Sequence, residues 1–353
     1  MEDQPLVAQS KPYRVQVESG QRYLWCSCGR SNSQPFCDNS HKGTPFKPLA
    51  YTASASTAVL FCGCKNSGSA PMCDGTHNNL TDQYAEDDRT EQQLLRNNTE
   101  LAFDTRGRAL LDGGCFVQRP DGLAWSRQAG AHLAPVISAA DGARFLEQYC
   151  LRAEGACSEV LQHADADVVL FCLAGQGHVT VSGELFSLAA KSGVHVRAGE
   201  AFQLAPAARQ RLLCLVTVCP RGSELEILQH MPDNFSGGYP QRVVRYDAAK
   251  RVSMADRFYQ VLVGEQIGSA QVTQFIGQIP QSKAAPHRHL YEEALVILSA
   301  AGMLWTETRR AAVQAGDLVF LPAEQEHSLQ CTEPGGMELA GHFYPSGSPS
   351  INY

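Results

Sequence analysis

Cys26-Ser-Cys28-Gly-Arg-Ser-Asn-Ser-Gln-Pro35-Phe-Cys37-Asp-Asn-Ser-His41 and Cys62-Gly-Cys64-Lys-Asn-Ser-Gly-Ser-Ala-Pro71-Met-Cys73-Asp-Gly-Thr-His77 share one pattern, C-x-C-x8-C-x3-H, with no insertion or deletion between copies. The neighbourhood repeats as well: Pro35 and Pro71 stand two residues before the third cysteine, and Asp38 and Asp74 directly follow it. Ligand-type residues recurring at fixed spacing mark a duplicated metal-binding unit, not scattered thiols. Each copy begins with strand-like sequence, at Tyr13–Val17, 22–26 and 58–62, and continues into a polar Gly/Ser/Asn loop. Two cysteines one residue apart can hold one metal through both sulfurs. A Cys and a His separated by three residues suit a turn that presents both to a second metal. Structural zinc also accepts three Cys and one His, but zinc modules favour C-x2-4-C knuckles.

These residues resemble tandem CDGSH iron-sulfur motifs of the mitoNEET type, in the two-motif arrangement, over roughly the first 80 residues. The resemblance implies one 2Fe-2S cluster per repeat, ligated by Cys26, Cys28, Cys37 and His41 and by Cys62, Cys64, Cys73 and His77. Asn39 departs from the family's Gly, but Asn accepts a left-handed backbone most readily after Gly, so the turn should survive. Replacing a thiolate by a neutral imidazole removes negative charge from a cluster and raises its potential, which suits an electron carrier.

The chain has 353 residues, 44% hydrophobic and 18% charged, with net charge -7. That length suggests two or three domains, and an acidic balance offers no electrostatic reason for nucleic acid or an anionic membrane as partner. The N-terminus lacks a basic segment leading into an apolar one, and no apolar run approaches the roughly 18 residues of a membrane span, so a cytoplasmic location is expected. Of thirteen cysteines, six fall in the repeats. The other seven, Cys115, Cys150, Cys157, Cys172, Cys214, Cys219 and Cys331, have no ligand spacing and read as reduced, mostly buried small hydrophobes.

After His77 the composition turns polar, and residues 82–96 read as a short helix or linker. From about residue 100 strand signals dominate, at 168–173, 177–181 and 212–218, with a short helix expected at 140–149. A second constellation follows: Pro286-His287-Arg-His289-Leu-Tyr-Glu-Glu293, then Gly316-Asp-Leu-Val-Phe-Leu-Pro322-Ala-Glu-Gln-Glu-His327. On a strand, residues 287, 289 and 293 share one face and Glu292 points away. Gly316 to Pro322 reads as turn, buried strand and kink, able to return His327 to the same point. Imidazoles plus a carboxylate suit Fe(II), Mn(II), Zn(II) or Ni(II).

This region resembles the two cupin motifs, H-x-H-x3-E and G-x5-P-x4-H, although Glu324 stands where many members have Gly. The resemblance implies His287, His289, Glu293 and His327 as ligands of one mononuclear metal on a double-stranded β-helix barrel. Residues 198–206 parallel 315–322, about 117 residues apart, and 168–175 parallel 294–302. In that parallel Arg211 falls in the place of His327 and His163 matches no ligand, which suggests a degenerate copy. The expected organisation is mainly β: a tandem CDGSH unit (1–80), a linker (81–100), a degenerate cupin (101–222) and a metal-binding cupin (223–353).

Three functions are open. The first is a non-haem cupin oxygenase or oxidase of a small molecule, with dioxygen as co-substrate, electrons from the clusters and an external reductase as their source. The second is a redox or iron sensor, or cluster carrier, with a ligand-binding cupin. The third is a cupin isomerase, hydrolase or lyase that needs no electrons. Tyr291, Trp305, Phe320 and His342 are the candidate pocket-lining residues.

Overall fold

The computed structural model describes residues 4–80, 91–96, 98–128, 130–222, 224–254 and 256–351. The chain is mainly β, as expected. In the N-terminal unit Tyr13–Val17 pairs antiparallel with Thr57–Phe61, and Arg22–Trp25 with Leu49–Thr52, so each two-stranded ribbon joins segments from both halves. Ribbons of this size cannot stand alone in water. They close on a small core of Val17, Trp25, Ala53, Phe61, Cys62 and Cys64, and the Trp25 indole donates to the Cys62 carbonyl at 3.0 Å.

Two larger β-sandwiches follow. In the middle one a seven-stranded sheet built around Asp167–Ala174 and Arg211–Cys219 packs on a five-stranded sheet that includes Gln176–Val181 and Ala201–Pro206. The C-terminal one has eight strands around Thr273–Ile279, Met337–Tyr344 and Glu292–Ser299, facing four that include Ser328–Cys331 and Ala301–Trp305. Each sandwich has its own apolar filling, and a third core lies between them, formed by Phe171, Leu215, Leu262, Phe320, Ala340 and their neighbours. Residues Glu292–Ile297 are therefore buried on both faces. That explains why this strand reads as a continuous apolar run without alternation.

The sheets cut across the expected borders at residues 100 and 222. Phe116–Gln118 pairs with Leu318–Leu321, and Thr99–Glu100 lies parallel to Arg309–Gln314, so these early strands belong to the C-terminal sandwich. Conversely Glu226–Leu228 and Val243–Arg245 join the middle one. Each exchange covers an otherwise open sheet edge, which composition does not reveal. The helix expected at 140–149 is not formed. A Ser138–Asp141 capping box holds one 3-10 turn at Ala139–Asp141, Gly142 ends it at φ +87°, and Glu147–Glu154 is a strand. Of the polar segment 82–96, Glu91–Arg96 is helical, and residues 82–90 lie outside the described residues.

Candidate metal centres

The two N-terminal repeats agree down to single hydrogen bonds. The Cys26 and Cys62 amides donate to the Pro35 and Pro71 carbonyls at 2.9 and 2.8 Å, and the Cys37 and Cys73 amides to Leu24 and Leu60 at 2.8 and 2.9 Å. The Asp38 carboxylate accepts from the Asn32 and Ser40 amides, and Asp74 from those of Gly68 and Thr76, so each aspartate ties its loop into a closed turn. Asn39 has φ +74° where Gly75 has +86°; the Asn therefore takes the left-handed turn expected of it.

Within each repeat the ligand-type atoms come in pairs. Cys26 Sγ and Cys28 Sγ are 3.6 Å apart, Cys62 Sγ and Cys64 Sγ 3.5 Å. Cys37 Sγ lies 3.2 Å from His41 Nδ1, and Cys73 Sγ 3.4 Å from His77 Nδ1. Bonds of about 2.3 Å to a tetrahedral metal place neighbouring sulfurs roughly 3.8 Å apart, so each pair fits one metal. A single Cys3His zinc would gather all four atoms at such distances. Among the described residues no trio of Cys or His ligand atoms in this unit is as tight as the 4.8 Å cluster described next. Pairs without a trio fit two metals held at opposite ends of one binuclear group.

The C-terminal constellation is of the other kind. His287, His289 and His327 bring one ring nitrogen each to within 4.8 Å of one another. Backbone pairing places them: the His287 amide donates to the His327 carbonyl at 3.0 Å, the His327 amide returns the bond at 3.1 Å, and the Glu324 amide donates to the His289 carbonyl at 2.7 Å. Glu324 reaches that bond with φ +63°, so the family's Gly position keeps its turn here with a strained side chain in place. His287 Nδ1 and His327 Nδ1 each lie 2.9 Å from a carbonyl, of Ala285 and Gln325, which makes Nδ1 the protonated nitrogen and leaves Nε2 with its lone pair. Burial, reinforced by the neighbouring His289, pushes His287 down to about 3; burial and the other two imidazoles hold His327 well below the usual range. Neutral imidazoles with oriented lone pairs are what a divalent cation requires.

Glu293 joins the same cavity, its carboxylate 3.3 Å from His289 Nδ1. Glu292 points the opposite way, into the inter-sandwich core, and accepts the amides of Arg144, Phe145 and Leu146 at 2.7, 2.9 and 3.0 Å. The two carboxylates thus lie on opposite faces, as strand parity requires. The cavity, about 100 Å³, has an apolar wall of Phe258, Phe275, Ile279, Leu295, Leu304 and Leu339. Tyr291 lines it, stacked on His289 at 4.5 Å and on Phe343 at 4.1 Å.

The other three expected lining residues do not line it. Phe320 belongs to the inter-sandwich core, Trp305 lines a separate cavity of about 250 Å³ that also reaches His327, and His342 faces Phe171 and Gln274 between the sandwiches. On strand Met337–Tyr344 the odd-numbered Leu339 faces the cavity while Ala340 and His342 face the other sandwich, so parity could have excluded His342. Sequence reading missed Arg257 and Tyr259, which enter the cavity from the strand Arg257–Val263; a single arginine opening a strand carries no motif.

The middle sandwich repeats the strand order with a register different from the one expected. Gly199, at φ +79°, donates its amide to the His163 carbonyl as Glu324 does to that of His289, so it corresponds to Glu324 and not to Gly316. Leu161 pairs with Phe202 where His287 pairs with His327. Phe202, not Arg211, therefore occupies the place of His327, Leu161 that of His287, and His163 that of His289. Next to Ala201 a buried Glu200 holds Arg242 in a two-pronged ion pair at 2.7 and 2.8 Å. The interior there is filled by Leu151, Val168, Val179 and Phe202.

The two kinds of centre are connected. The C-terminal segment places Pro349 on the wall of the histidine-lined cavity. The next residue, Ser350, donates its hydroxyl to the Asp74 carbonyl at 3.2 Å, and its own carbonyl accepts from Asn78 at 2.8 Å. Asp74 follows Cys73, and Asn78 follows His77. Gly75 leaves no room for a side chain, because a Cβ would stand 2.1 Å from Ser350 Oγ. A second tie pairs Arg14 with Glu324, the residue whose amide supports His289.

Residues 3–42 match the family described as iron-binding zinc finger, CDGSH type, and residues 277–340 match the cupin domain. The chain carries a CDGSH-type domain at its N-terminus and a cupin domain at its C-terminus. The first is 49% identical over 51 residues to mouse CDGSH iron-sulfur domain-containing protein 3, mitochondrial, covering 14% of this chain and 37% of that protein. The human counterpart is 43% identical over 56 residues, 15% of this chain and 44% of that protein. The chain thus spans less than half the length of the curated relatives it matches. Among solved structures, the E. coli protein Ylba is similar at TM-score 0.54 and 13% identity, over 68% of this chain and 94% of that one. A point mutant of Bacillus subtilis oxalate decarboxylase is similar at 0.55 and 12%, over 69% and 81%. At such identities the likeness is one of fold. No described helix is long and apolar enough to cross a membrane.

Proposed function

We propose that the protein is an oxidoreductase of the cytoplasm that oxidises a small molecule with dioxygen at the cupin site, using electrons that enter through the N-terminal unit. In this reading each repeat holds one 2Fe-2S cluster on the eight residues named above, the middle sandwich is a second cupin copy without a complete ligand set, and His287, His289, Glu293 and His327 hold one divalent metal, iron before Mn, Zn or Ni. When bound, iron at such a site supplies Lewis acidity and one-electron reactivity toward dioxygen, and the clusters are the store of electrons.

The chain's own residues do the remaining work. The Ala285 and Gln325 carbonyls fix which nitrogen of each imidazole faces the cavity, and Tyr291 locks the plane of His289. The wall of Phe and Leu side chains keeps the cavity poor in water and selects a small molecule with an apolar body. The observation that carries the reading is the junction at Pro349 and Ser350. A centre that only stabilised the fold would not need its ligand loop latched to the wall of the other centre's cavity. The likeness to a decarboxylase extends to fold alone, which favours no lyase chemistry here.

The test is to reduce the purified protein without oxygen, admit oxygen, and follow cluster reoxidation in the wild type and in a His287→Ala, His289→Ala variant. Faster reoxidation in the wild type is expected, and equal rates would refute delivery of electrons to the cupin. Turnover by protein whose cupin site has been loaded with zinc would point to a lyase or hydrolase instead.

A further inference from the structure

The two repeats share a backbone but not an environment. In the second, Cys73 and His77 are 6% and 4% exposed, covered by the C-terminal segment through Ser350. In the first, Cys37 and His41 are half-buried, and Asn39, Ser40 and Lys42, which match residues 75, 76 and 78 of the covered repeat, are exposed. Charge divides the same way. Residues 19–50 carry four cations, Arg22, Arg30, Lys42 and Lys47, against one carboxylate, Asp38, a net +3 in a chain of net -7. Residues 55–80 carry Lys65 and Asp74 and are neutral, and Lys65 is buried against Trp25.

Three of the residues that carry those cations are held next to the first repeat's Cys and His residues by their backbone. The Arg30 amide donates to Cys28 Sγ at 3.4 Å, Lys42 follows His41, and the Lys47 carbonyl accepts from Ser27, between Cys26 and Cys28, at 2.7 Å. All three residues are exposed. The Asp38 carboxylate is engaged by its own loop amides. The same repeat exposes Leu24 and Leu49, at 44% and 40%, and the Leu24 carbonyl accepts the amide of Cys37. Exposed apolar side chains on a unit with an excess of one charge sign suit a transient protein interface, and the sign selects the partner.

We infer that the first repeat is a docking face for an acidic one-electron carrier protein, and that the second repeat, closed by the C-terminal segment, is not open to that partner. The inference rests on the proposed function for its direction, since it makes the first repeat the entrance and the second the inner neighbour of the cupin. Each encounter moves one electron: the carrier's reduced centre loses it and the first repeat's cluster gains it, with no atom or proton exchanged.

The experiment uses the full-length iron-loaded protein without oxygen or substrate. A reduced, acidic plant-type ferredoxin is mixed in by stopped flow, and bleaching of the acceptor's visible absorbance is followed. The rate should fall at least about tenfold between low and high salt, as steered association does. Lys42→Glu with Lys47→Glu should lower the low-salt rate by a similar factor, while reduction by dithionite and the resting spectrum stay unchanged. Lys250→Glu, an exposed charge reversal elsewhere, should leave the rate alone. A salt-independent rate, or equal losses from both charge reversals, would overturn the proposal. Sedimentation with phosphatidylserine vesicles that depends on Lys42 and Lys47, alongside ferredoxin rates indifferent to them, would also overturn it and assign the face to lipid. Because oxygen is absent, these outcomes are separate from the reoxidation test of cupin delivery.

Discussion

His342 offers a quantitative test of how the two sandwiches are joined. Its ring is fully buried against Phe171, with Nε2 2.8 Å from the Gln274 side-chain nitrogen and no hydrogen-bond partner for Nδ1 among the described residues. Burial pushes it down to about 3, against an upward pull from the Ala294 backbone opposite it on the neighbouring strand. An unfolded histidine titrates near 6.5, so below that pH the unfolded chain binds a proton that the folded one refuses, and stability falls as pH falls. At 1.36 kcal/mol per unit the full contribution is about 5 kcal/mol between pH 6.5 and 3, of which about 2 kcal/mol is lost by pH 5. His342→Gln fills much of the same space with a group that does not titrate. Urea unfolding of wild type and variant at pH 7.5 and pH 5.0 isolates this residue, because His287 and His327 titrate in both proteins. The wild type should lose about 2 kcal/mol more than the variant over that interval. Equal losses would show that His342 accepts a proton without cost in the folded state, and the argument from its burial would be wrong.

Other substitutions probe the remaining contacts. Glu292→Gln turns one acceptor into a donor facing the Arg144, Phe145 and Leu146 amides, and should cost about 2–4 kcal/mol in urea unfolding while metal content is retained. Arg242→Met leaves Glu200 buried without its partner and should cost about 3–5 kcal/mol by the same measurement; a loss below about 1 kcal/mol would mean that water reaches the carboxylate. Gly75→Ala demands a left-handed Ala and drives a Cβ into Ser350, so limited proteolysis should release the C-terminal segment faster, whereas Asn39→Gly at the matching exposed turn should not change it. His287→Ala with His327→Ala should remove the mononuclear metal in elemental analysis and leave the visible spectrum of the N-terminal unit intact.

Local chemistry was legible where ligands sit at short, fixed spacing. The C-x-C and C-x3-H pairs, the left-handed Asn39 and the opposite faces of Glu292 and Glu293 all follow from backbone geometry within a few residues. The match of Gly199 to Gly316 failed because two stretches running from a glycine to a proline resemble each other in sequence while differing by a strand in the fold. Only the hydrogen bonds from Gly199 to His163 and from Glu324 to His289 set the register. The helix expected at 140–149 failed for a related reason: a capping box and an αL glycine end it after one turn, and strand pairing with Arg211–Cys219 takes the rest.

The sequence alone determined the paired Cys and His pattern of the two N-terminal repeats, the three histidines that gather in the C-terminal cavity and the mainly β class, because each depends on residue type and local spacing. It could not determine which strands cross between sandwiches, which aromatic residues reach the cavity, or that one repeat is covered and the other open. Those depend on contacts between positions hundreds of residues apart, Asn78 with Ser350 and Arg14 with Glu324. Such pairs leave no periodic trace in the chain and exist only once the sheets have closed.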